Sequence, residues 1–344
     1  MGGTLTKLRG ASVTDLIGLT LVALVVFWLA VNFVKAPADF IDIALIGLTN
    51  GLIYGLVALG YTLVYGILQL INFAHGDVFA LSGLVAWSVI VNVIGLDEGS
   101  SALVVIGGLL VTLVVIMTGF ALFNASIERV AYRPLRNAPR LAPLITAVGM
   151  SFIVQNISLA IYGVNYRSVP NFIPQTDLIH IGSVEYSWQK ASVLFIVIPL
   201  LVMLSWFVRS TKQGKSMRAV AQDTEASAMM GIDVNRTISV TFLLAGALAG
   251  AAGIVYLLQF NMRFDTGFEL GLIAFTAAVL GGIGNLTGAV VGALLIGFIQ
   301  AFNEGLGWHA PGSDWTRSMV FGILILILVF RPEGILGEQT PEGA

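Results

Sequence analysis

The sequence predicts an all-α membrane protein, a polytopic bundle of about 8–10 transmembrane helices in a single domain covering residues 1–344. The 344-residue chain is 57% hydrophobic and only 10% charged, and its mean hydropathy is +0.92. Soluble domains carry about 25% charged residues, so lipid rather than water must solvate much of this surface. Apolar runs of about 20 residues, the length at which a helix crosses a bilayer, recur along the whole chain.

Ten apolar windows are predicted as spans. They are 14–34, 42–66, 76–95, 101–123, 141–163, 190–208, 238–260, 271–284, 286–303 and 317–331. The stretch 40–74 is too long for one ordinary helix and too short for two. The stretch 271–303 is interrupted by Gly281, Gly282 and Gly284, so we expect a broken helix, either as two crossings or as a re-entrant pair. The first window is long enough to span and lacks an A-x-A cleavage site, so we expect a retained helix.

The distribution of Lys and Arg predicts the orientation. With the N-terminus inside, 12 of the 17 basic residues lie in inside loops and five lie outside. The five are Lys35, Arg167, Lys190, Arg263 and Arg317. Because short cytoplasmic loops carry such an excess of positive charge, we expect a multi-pass protein of the cell inner membrane with both termini cytoplasmic. The loop 209–237 is then cytoplasmic, and the loop 164–189 is extracytoplasmic.

Composition and motif tests exclude several kinds of chemistry. The chain has no cysteine, three widely separated histidines and a net charge of −2. Disulfides, metal sites and nucleic-acid partners are therefore not expected. Gly214-Lys215-Ser216 matches the end of a phosphate-binding P-loop, but the leading glycine position is occupied by Arg209. We expect no catalytic residue, metal or cofactor here, so any ATP hydrolysis must take place in a separate partner.

The inside loop contains a predicted short helix over about 217–230, rich in Ala and Met. Asp223 precedes Glu225 near the middle, and Gly231 stands where a glycine stops a helix. Glu225 and Gly231 are six positions apart. One interpretation is a rigid helix that passes force from a soluble partner to the membrane helices. The other is a solvated loop helix whose spacing matches by accident.

Residues 72–77, Asn-Phe-Ala-His-Gly-Asp, form a polar hexad between two predicted spans, near the inner boundary. Polar and ionisable groups near membrane depth usually face a protein interior or a watery cavity. Two interpretations stay open. Asn72, His75 and Asp77 line or gate a pathway, or the hexad is an interfacial turn in which Asp77 caps the following helix.

Glycines recur at every fourth position in both halves of the chain. The two stripes consist of Gly47, Gly51 and Gly55, and of Gly284, Gly288 and Gly292. A flat glycine face lets neighbouring helices approach closely. We therefore predict a helix-packing role for both stripes, in preference to substrate contact, and the same role for the pair Gly246 and Gly250.

Four segments together resemble one protein family. They are GLTNGLIYGLVALGYTLVYGILQLINFAHGDVFALSG (47–83), RAVAQDTEASAMMGID (218–233), VLGGIGNLTGAVVGALLIG (279–297) and VFRPEGILGE (329–338). They are similar to the permeases of branched-chain amino acid ABC transporters, the LIV-type family, which also includes urea permeases. The resemblance covers essentially the whole chain. Its first two segments are specific, whereas the glycine-rich ones are not.

The resemblance implies a permease subunit of an ATP-binding-cassette importer that moves branched-chain or related amino acids across the inner membrane. It implies a second related permease chain, two cytoplasmic ATP-binding subunits and an extracytoplasmic substrate-binding protein, around a chain embedded in membrane lipid. The family's role in coupling to the ATPase falls on Arg218, Glu225 and Gly231, and the 72–77 hexad matches the family's N-terminal motif.

Two alternatives to this function remain. A permease for urea or a short amide would have the same inventory of residues. A secondary transporter driven by an ion gradient would need paired acids or bases at mid-membrane depth. Asp42 and Asp77 are acids at the ends of the spans 42–66 and 76–95, and neither is expected to be deep. The ion-coupled alternative is therefore the weaker of the two.

Overall fold

The computed structural model describes residues 13–136, 138–139, 141–174, 176–181, 184–331 and 333–337, which form twelve α-helices and one β-hairpin. The helices are α1 (Val13–Lys35), α2 (Pro37–Leu68), α3 (Ala74–Ser88), α4 (Ala102–Ile127), α5 (Leu141–Tyr162), α6 (Trp188–Ser210), α7 (Lys212–Gln222), α8 (Thr224–Met229), α9 (Val234–Gln259), α10 (Thr266–Gly281), α11 (Leu286–Gly305) and α12 (Ser313–Phe330). The hairpin pairs β1 (Asp177–Ile181) antiparallel with β2 (Val184–Ser187). Two π-helical segments, Val89–Ile94 and Glu128–Tyr132, continue α3 and α4, and a short 3-10 turn, Arg133–Leu135, follows the second.

Eight helices of the described chain are long and apolar enough to cross a membrane. They are α2, α3, α4, α5, α6, α9, α11 and α12, with α3 and α4 counted together with the segments that continue them. Two shorter apolar helices, Val22–Lys35 within α1 and the 16-residue α10, account for the other two predicted spans. The prediction of an all-α polytopic membrane bundle is confirmed, and each predicted window coincides with one of these helices.

The first doubtful stretch is a single long helix. Residues 37–68 form 32 continuous helical residues, which measure about 48 Å at 1.5 Å per residue. This length exceeds the roughly 30 Å of a hydrocarbon core. Residues 69–73 then turn the chain back into the bundle, where α3 begins at Ala74.

The second doubtful stretch is an antiparallel pair of helices, α10 and α11, joined by residues 282–285. Glu269 near the start of α10 pairs with Arg317 near the start of α12, with Nε 2.5 Å from the carboxylate. At the opposite end, Gly282 packs against Gly337, beyond the end of α12. The predicted break in this stretch is confirmed, since α10 ends at Gly281 and α11 begins at Leu286.

The bundle has two different ends. One carries residues 209–237 and is called the basic end. There, Arg136 donates to the Asn235 side chain (2.5 Å), and Arg209 donates to Thr287 (3.0 Å). The loop 209–237 is thus placed beside the end of α4 and the start of α11.

The other end carries β1 and β2 and is called the hairpin end. The backbone N–H of Glu185 donates to Asp42 at the second turn of α2 (3.1 Å). Arg167 and Met262 pair as an isolated antiparallel bridge. These bonds hold the predicted outside loop 164–189 against the ends of α2 and α9.

Basic residues divide unequally between the two ends. Nine described Lys and Arg residues lie at the basic end: Arg129, Arg133, Arg136, Arg209, Lys212, Lys215, Arg218, Arg236 and Arg331. The five residues predicted to lie outside are at the hairpin end. Three further basic residues lie outside the described residues: Lys7, Arg9 and Arg140. The prediction of cytoplasmic termini also falls outside them, on the segments 1–12 and 338–344.

The core of the bundle is built on α2 and α9, most of whose residues are buried. The helices α3, α4, α10 and α11 pack around this pair. The outward faces of α4, α5 and α12 are apolar and exposed, as at Leu103, Ile145 and Phe330. Continuous apolar surface of this extent fits membrane lipid.

The first glycine stripe lies where α2 crosses α11. A Cβ atom added at Gly297 of α11 would lie 2.5 Å from both the Gly47 carbonyl oxygen and the Gly51 Cα. Gly55 is looser, since an added Cβ would meet only the Ala293 Cβ at 3.8 Å. The close approach of the two backbones therefore depends on Gly47, Gly51 and Gly297.

The second stripe is divided between a helix and a turn. Gly288 and Gly292 pack against the backbone of α10, whereas Gly284 lies in the α10–α11 connection with φ +95°. Gly284 is therefore a turn residue and not part of a helix face. Gly246 and Gly250 of α9 pack against the backbone of α4, which brings these two helices into close contact over about one turn.

Candidate functional site

The loop at the basic end contains two helices and not one. Asp223 has an extended backbone (φ −153°), and its side chain accepts a hydrogen bond from the Ala226 N–H (2.8 Å), which starts α8. The prediction of one helix over about 217–230 is wrong because aspartate caps a new helix at this position more favourably than it continues the old one. Arg218 and Glu225 consequently lie on different helices.

The first of these helices, α7, is attached to the end of α6. The Arg218 guanidinium donates to the Val208 carbonyl. Gly214 is buried against the backbone carbonyls at the end of α6, and its N–H donates to the Thr211 hydroxyl (3.0 Å). The amides of Gly214 and Lys215 thus already donate to the hydroxyl and the carbonyl oxygen of Thr211. No glycine-rich loop precedes them, so this segment lacks the phosphate cradle of a P-loop.

The second helix, α8, presents two methionines to the surroundings. Met229 is 82% exposed and Met230 is 83% exposed, and Glu225 in the first turn is also exposed. Gly231 ends the helix with φ +82°, and its N–H donates to the Ala228 carbonyl (3.0 Å). Flexible, polarisable methionine side chains are frequent at adaptable docking surfaces. Met229 and Met230, which were predicted only to favour helix formation, therefore form an exposed apolar pair beside the residues predicted for coupling.

The polar side chains of the 72–77 hexad are buried inside the bundle. Asn72, His75 and Asp77 are at most 3% exposed. The His75 ring lies against Gly60 of α2, where an added Cβ would overlap it. Gly60 precedes the end of α2 by eight residues, which is about 12 Å along the helix. The hexad is therefore enclosed by the bundle, because residues 69–73 lead the chain back alongside α2 before α3 begins. Its position near the inner boundary stays a prediction.

Each polar side chain of the hexad contacts a different helix. His75 packs edge-to-face on Tyr61 of α2, with 4.9 Å between the ring centroids. Asp77 accepts a hydrogen bond from the Ser151 hydroxyl of α5. Asn72 accepts one from the Tyr132 hydroxyl at the end of α4 (2.7 Å). The start of α3 has no side-chain cap, so Asp77 does not make the capping bond of the turn interpretation.

Several polar atoms of the hexad have unused hydrogen-bonding capacity. Among the described residues, no ordinary hydrogen bond reaches either ring nitrogen of His75, Oδ1 of Asp77 or Nδ2 of Asn72, although the His75 ring interacts with the backbone of Val57. Buried polar atoms are normally paired. These atoms can therefore take new partners when the surrounding helices move. The described residues contain no group of three His, Asp or Glu side chains that could hold a metal ion.

Glu128, a fully buried acid at the end of α4, is not among the site residues predicted from the sequence. Its carboxylate receives hydrogen bonds from the Arg136 guanidinium and the Ser239 hydroxyl (2.7 Å), and Arg133 Nε lies 3.9 Å away. Burial lowers the pKa of Arg136, and the adjacent Glu128 carboxylate opposes that shift. The sequence does contain a signal for this ion pair: Glu128 follows an apolar window, and Arg133 and Arg136 come five and eight positions later.

The hairpin end contains a cavity of about 370 Å³ between the loop 164–189 and the end of α9. The Trp87 indole donates to the Ser168 carbonyl (3.0 Å), and the Gln189 side chain donates to the Leu258 carbonyl (2.6 Å). The loop is thus fixed over the end of the bundle, with the cavity open to the surroundings.

Comparisons with known proteins agree with this architecture. The family model described as "Branched-chain amino acid transport system / permease component" matches residues 43–329. The chain is 38% identical to the high-affinity branched-chain amino acid transport system permease protein BraD of Pseudomonas aeruginosa, over 86% of this chain and 95% of that protein. It is 36% identical to the corresponding LivH protein of Escherichia coli K12, with the same two coverages. A probable LivH of Methanocaldococcus jannaschii is 26% identical over 82% of this chain and 88% of that protein.

The fold and these comparisons define the class, an integral multi-pass membrane protein of the permease type. Within that class, the chain belongs to the branched-chain amino acid transport permease family, whose model covers residues 43–329, from α2 to α12.

Proposed function

We propose that this chain is the membrane permease subunit of an ABC importer that carries branched-chain amino acids across the cell inner membrane. The observation that carries the proposal is the family match over residues 43–329. The printed names of BraD and LivH refer to branched-chain amino acid transport, which favours these substrates over urea or a short amide. A second permease chain, two ATP-binding subunits and a substrate-binding protein complete the proposed complex.

The ATP-binding subunit is proposed to dock on residues 212–231, which we call the coupling segment. Its exposed Met229 and Met230 supply an apolar anchor, and Glu225 supplies a charge on the same short helix. Anchors of this kind, surrounded by polar residues, contribute most of the energy at protein interfaces. ATP hydrolysis then belongs to the partner, because Arg209 occupies the position at which a P-loop needs its leading glycine.

Force on the coupling segment would reach two membrane helices. α7 is fixed to the end of α6 by the bond from Arg218 to the Val208 carbonyl. Beyond Gly231, Asp233 caps α9 by accepting from the Arg236 N–H (2.9 Å). A displacement of α8 therefore pulls on α6 through one attachment and on α9 through the other. Gly231 permits the tight turn that keeps α8 close to α9.

The hexad is proposed to gate the pathway. Asn72, His75 and Asp77 bond or pack against α4, α2 and α5 respectively, so relative movement of those helices must break or exchange these contacts. Their unpaired atoms offer alternative partners. A solvated turn would not bury three polar side chains so completely.

The proposed orientation puts the basic end in the cytoplasm and the hairpin end outside. Short cytoplasmic loops carry an excess of Lys and Arg, and the coupling segment must bind the ATP-binding subunit on the cytoplasmic side. The loop 164–189 and its open cavity then face the binding protein that delivers substrate.

Reconstituted vesicles test the proposal. The chain is assembled with its second permease, ATP-binding and binding-protein subunits, and uptake of radiolabelled leucine is measured with and without internal ATP. We expect uptake only with ATP and binding protein, and none with an ATP-binding subunit that cannot hydrolyse. Uptake of urea instead of leucine, or no uptake by the complete assembly with ATP, would refute the proposal.

One observation favours the ion-coupled alternative, the burial of Asp77 to 1% exposure within the bundle. Acids at such positions often carry protons or ions. The same vesicles discriminate the two functions, because an ion-coupled transporter takes up leucine down an imposed proton or sodium gradient without ATP-binding subunits. We expect no such uptake, and we expect Asp77→Asn to lower the ATP-driven uptake of leucine.

A further inference from the structure

We propose that Glu128 and Tyr132, in the π-helical end of α4, are positioning residues that link the coupling segment to the 72–77 hexad. The inference deepens the proposed function and rests on it. The two residues are four positions apart, and each bonds to a different part of the machinery. Neither touches substrate in this proposal, and both act through the groups that they hold.

The first link joins α4 to the start of α9. The fully buried Glu128 accepts from the Ser239 hydroxyl (2.7 Å) and pairs with Arg136. Arg136 in turn donates to the Asn235 side chain (2.5 Å). Asn235 and Ser239 lie in the first two turns of α9, directly after the coupling segment ends. The end of α4 is thereby bonded to the part of α9 that the coupling segment would displace first.

The second link joins α4 to the hexad. The Tyr132 hydroxyl donates to Asn72 (2.7 Å), and the Tyr132 side chain is 4% exposed. Its ring also packs on Phe242 of α9, with 5.6 Å between the centroids. The Phe242 carbonyl accepts from Asn124 of α4 (2.8 Å). Tyr132 therefore stands between α9 and the segment that leads into α3.

The rest of the α4–α9 contact makes the two links move together. Gly246 and Gly250 bring the α9 backbone against that of α4, so the helices are closely packed and resist sliding. The π segment between the links is a local widening of the helix, a feature frequent at functional sites. Replacing a buried ion pair by apolar residues is often neutral or stabilising, so stability alone does not account for Glu128.

The variant Tyr132→Phe tests the second link by removing one oxygen atom. Tyr162→Phe is the matched control, since the Tyr162 hydroxyl accepts from Ser88 (3.3 Å) at the hairpin end. Complex assembly, ATP hydrolysis and leucine uptake are measured in the reconstituted system. We expect Tyr132→Phe to assemble and hydrolyse ATP as the wild type does, with uptake about fivefold lower, the size of one lost hydrogen bond. The ATP consumed per leucine should rise accordingly, and the control should not change it.

Glu128→Gln tests the first link, and its combination with Tyr132→Phe tests whether the two links are in series. If they act in series, the double variant should be no worse than the more severe single variant. Multiplied effects in the double variant would overturn the proposal. So would an unchanged ratio of ATP to leucine in Tyr132→Phe, or a parallel loss of assembly, hydrolysis and uptake. Failure of the wild-type complex to import leucine would instead refute the proposed function.

Discussion

A methyl group at Gly297 is expected to force apart α2 and α11, whose backbones lie in close contact along the first glycine stripe. Gly297 of α11 faces Gly47 and Gly51 of α2. In Gly297→Ala, the new Cβ would lie 2.5 Å from the Gly51 Cα and from the Gly47 carbonyl oxygen. All of the obstructing atoms belong to the backbone, so no side-chain rotation can relieve the overlap.

The size of the effect follows from the distance that must be recovered. Carbon atoms pack at about 3.5–4.0 Å, so the helices must separate locally by about 1 Å or more. Overpacking of this kind costs roughly 1–3 kcal/mol. Alanine also gains about 1 kcal/mol in helix propensity over glycine, which partly offsets that cost. A matched substitution removes this second contribution.

Gly55→Ala is the matched control, since its Cβ would meet only the Ala293 Cβ, at an ordinary 3.8 Å. Both changes replace glycine by alanine inside a helix at the same interface, so their difference isolates the steric cost. The purified variants are unfolded in mixed detergent micelles and followed by tryptophan fluorescence. We expect Gly297→Ala to be less stable than Gly55→Ala by roughly 1–3 kcal/mol. Equal stability, or a more stable Gly297→Ala, would refute the reasoning from close backbone approach.

Two further outcomes are expected. Gly231→Val places a β-branched residue at φ +82° in otherwise open space, which costs about 1–2 kcal/mol of local strain. The assembled complex should still hydrolyse ATP, while its leucine uptake falls. The control Gly119→Val, at an open position on the outer face of α4, should leave uptake intact. Normal uptake by Gly231→Val would count against the coupling segment. Because the chain has no cysteine, Met230→Cys and Asn171→Cys each give one site for a membrane-impermeant thiol reagent. In intact spheroplasts only Asn171→Cys should be labelled. Labelling of Met230→Cys alone would show that the proposed orientation is inverted.

The spans could be predicted from sequence because a membrane helix is specified locally. About 20 consecutive apolar residues are sufficient to favour a helix in lipid whatever its neighbours are. All ten windows accordingly coincide with helices, including the first at 14–34 and the short 271–284. The turn at Gly231 was predictable for the same reason, since glycine at a helix end adopts positive φ without strain.

The break at Asp223 shows where local reasoning failed. The residues around Asp223 are good helix formers, so average propensity over 217–230 predicts a single helix that includes Asp223. Its own side chain then decides the outcome by bonding the Ala226 N–H. The competing principle, capping, acts over three residues and outweighs average propensity.

The site itself was decided by contacts between distant parts of the chain. Asn72 and Tyr132 are 60 positions apart, and Glu128 and Ser239 are 111 apart. The amino-acid sequence alone determined that this chain forms apolar helices in lipid, with a polar hexad and a basic loop between them, because those properties depend on composition and short-range pattern. The burial of the hexad and of Glu128 and the identity of their partners were decided only by tertiary packing, since a buried polar group is stable only where another helix supplies its hydrogen bond.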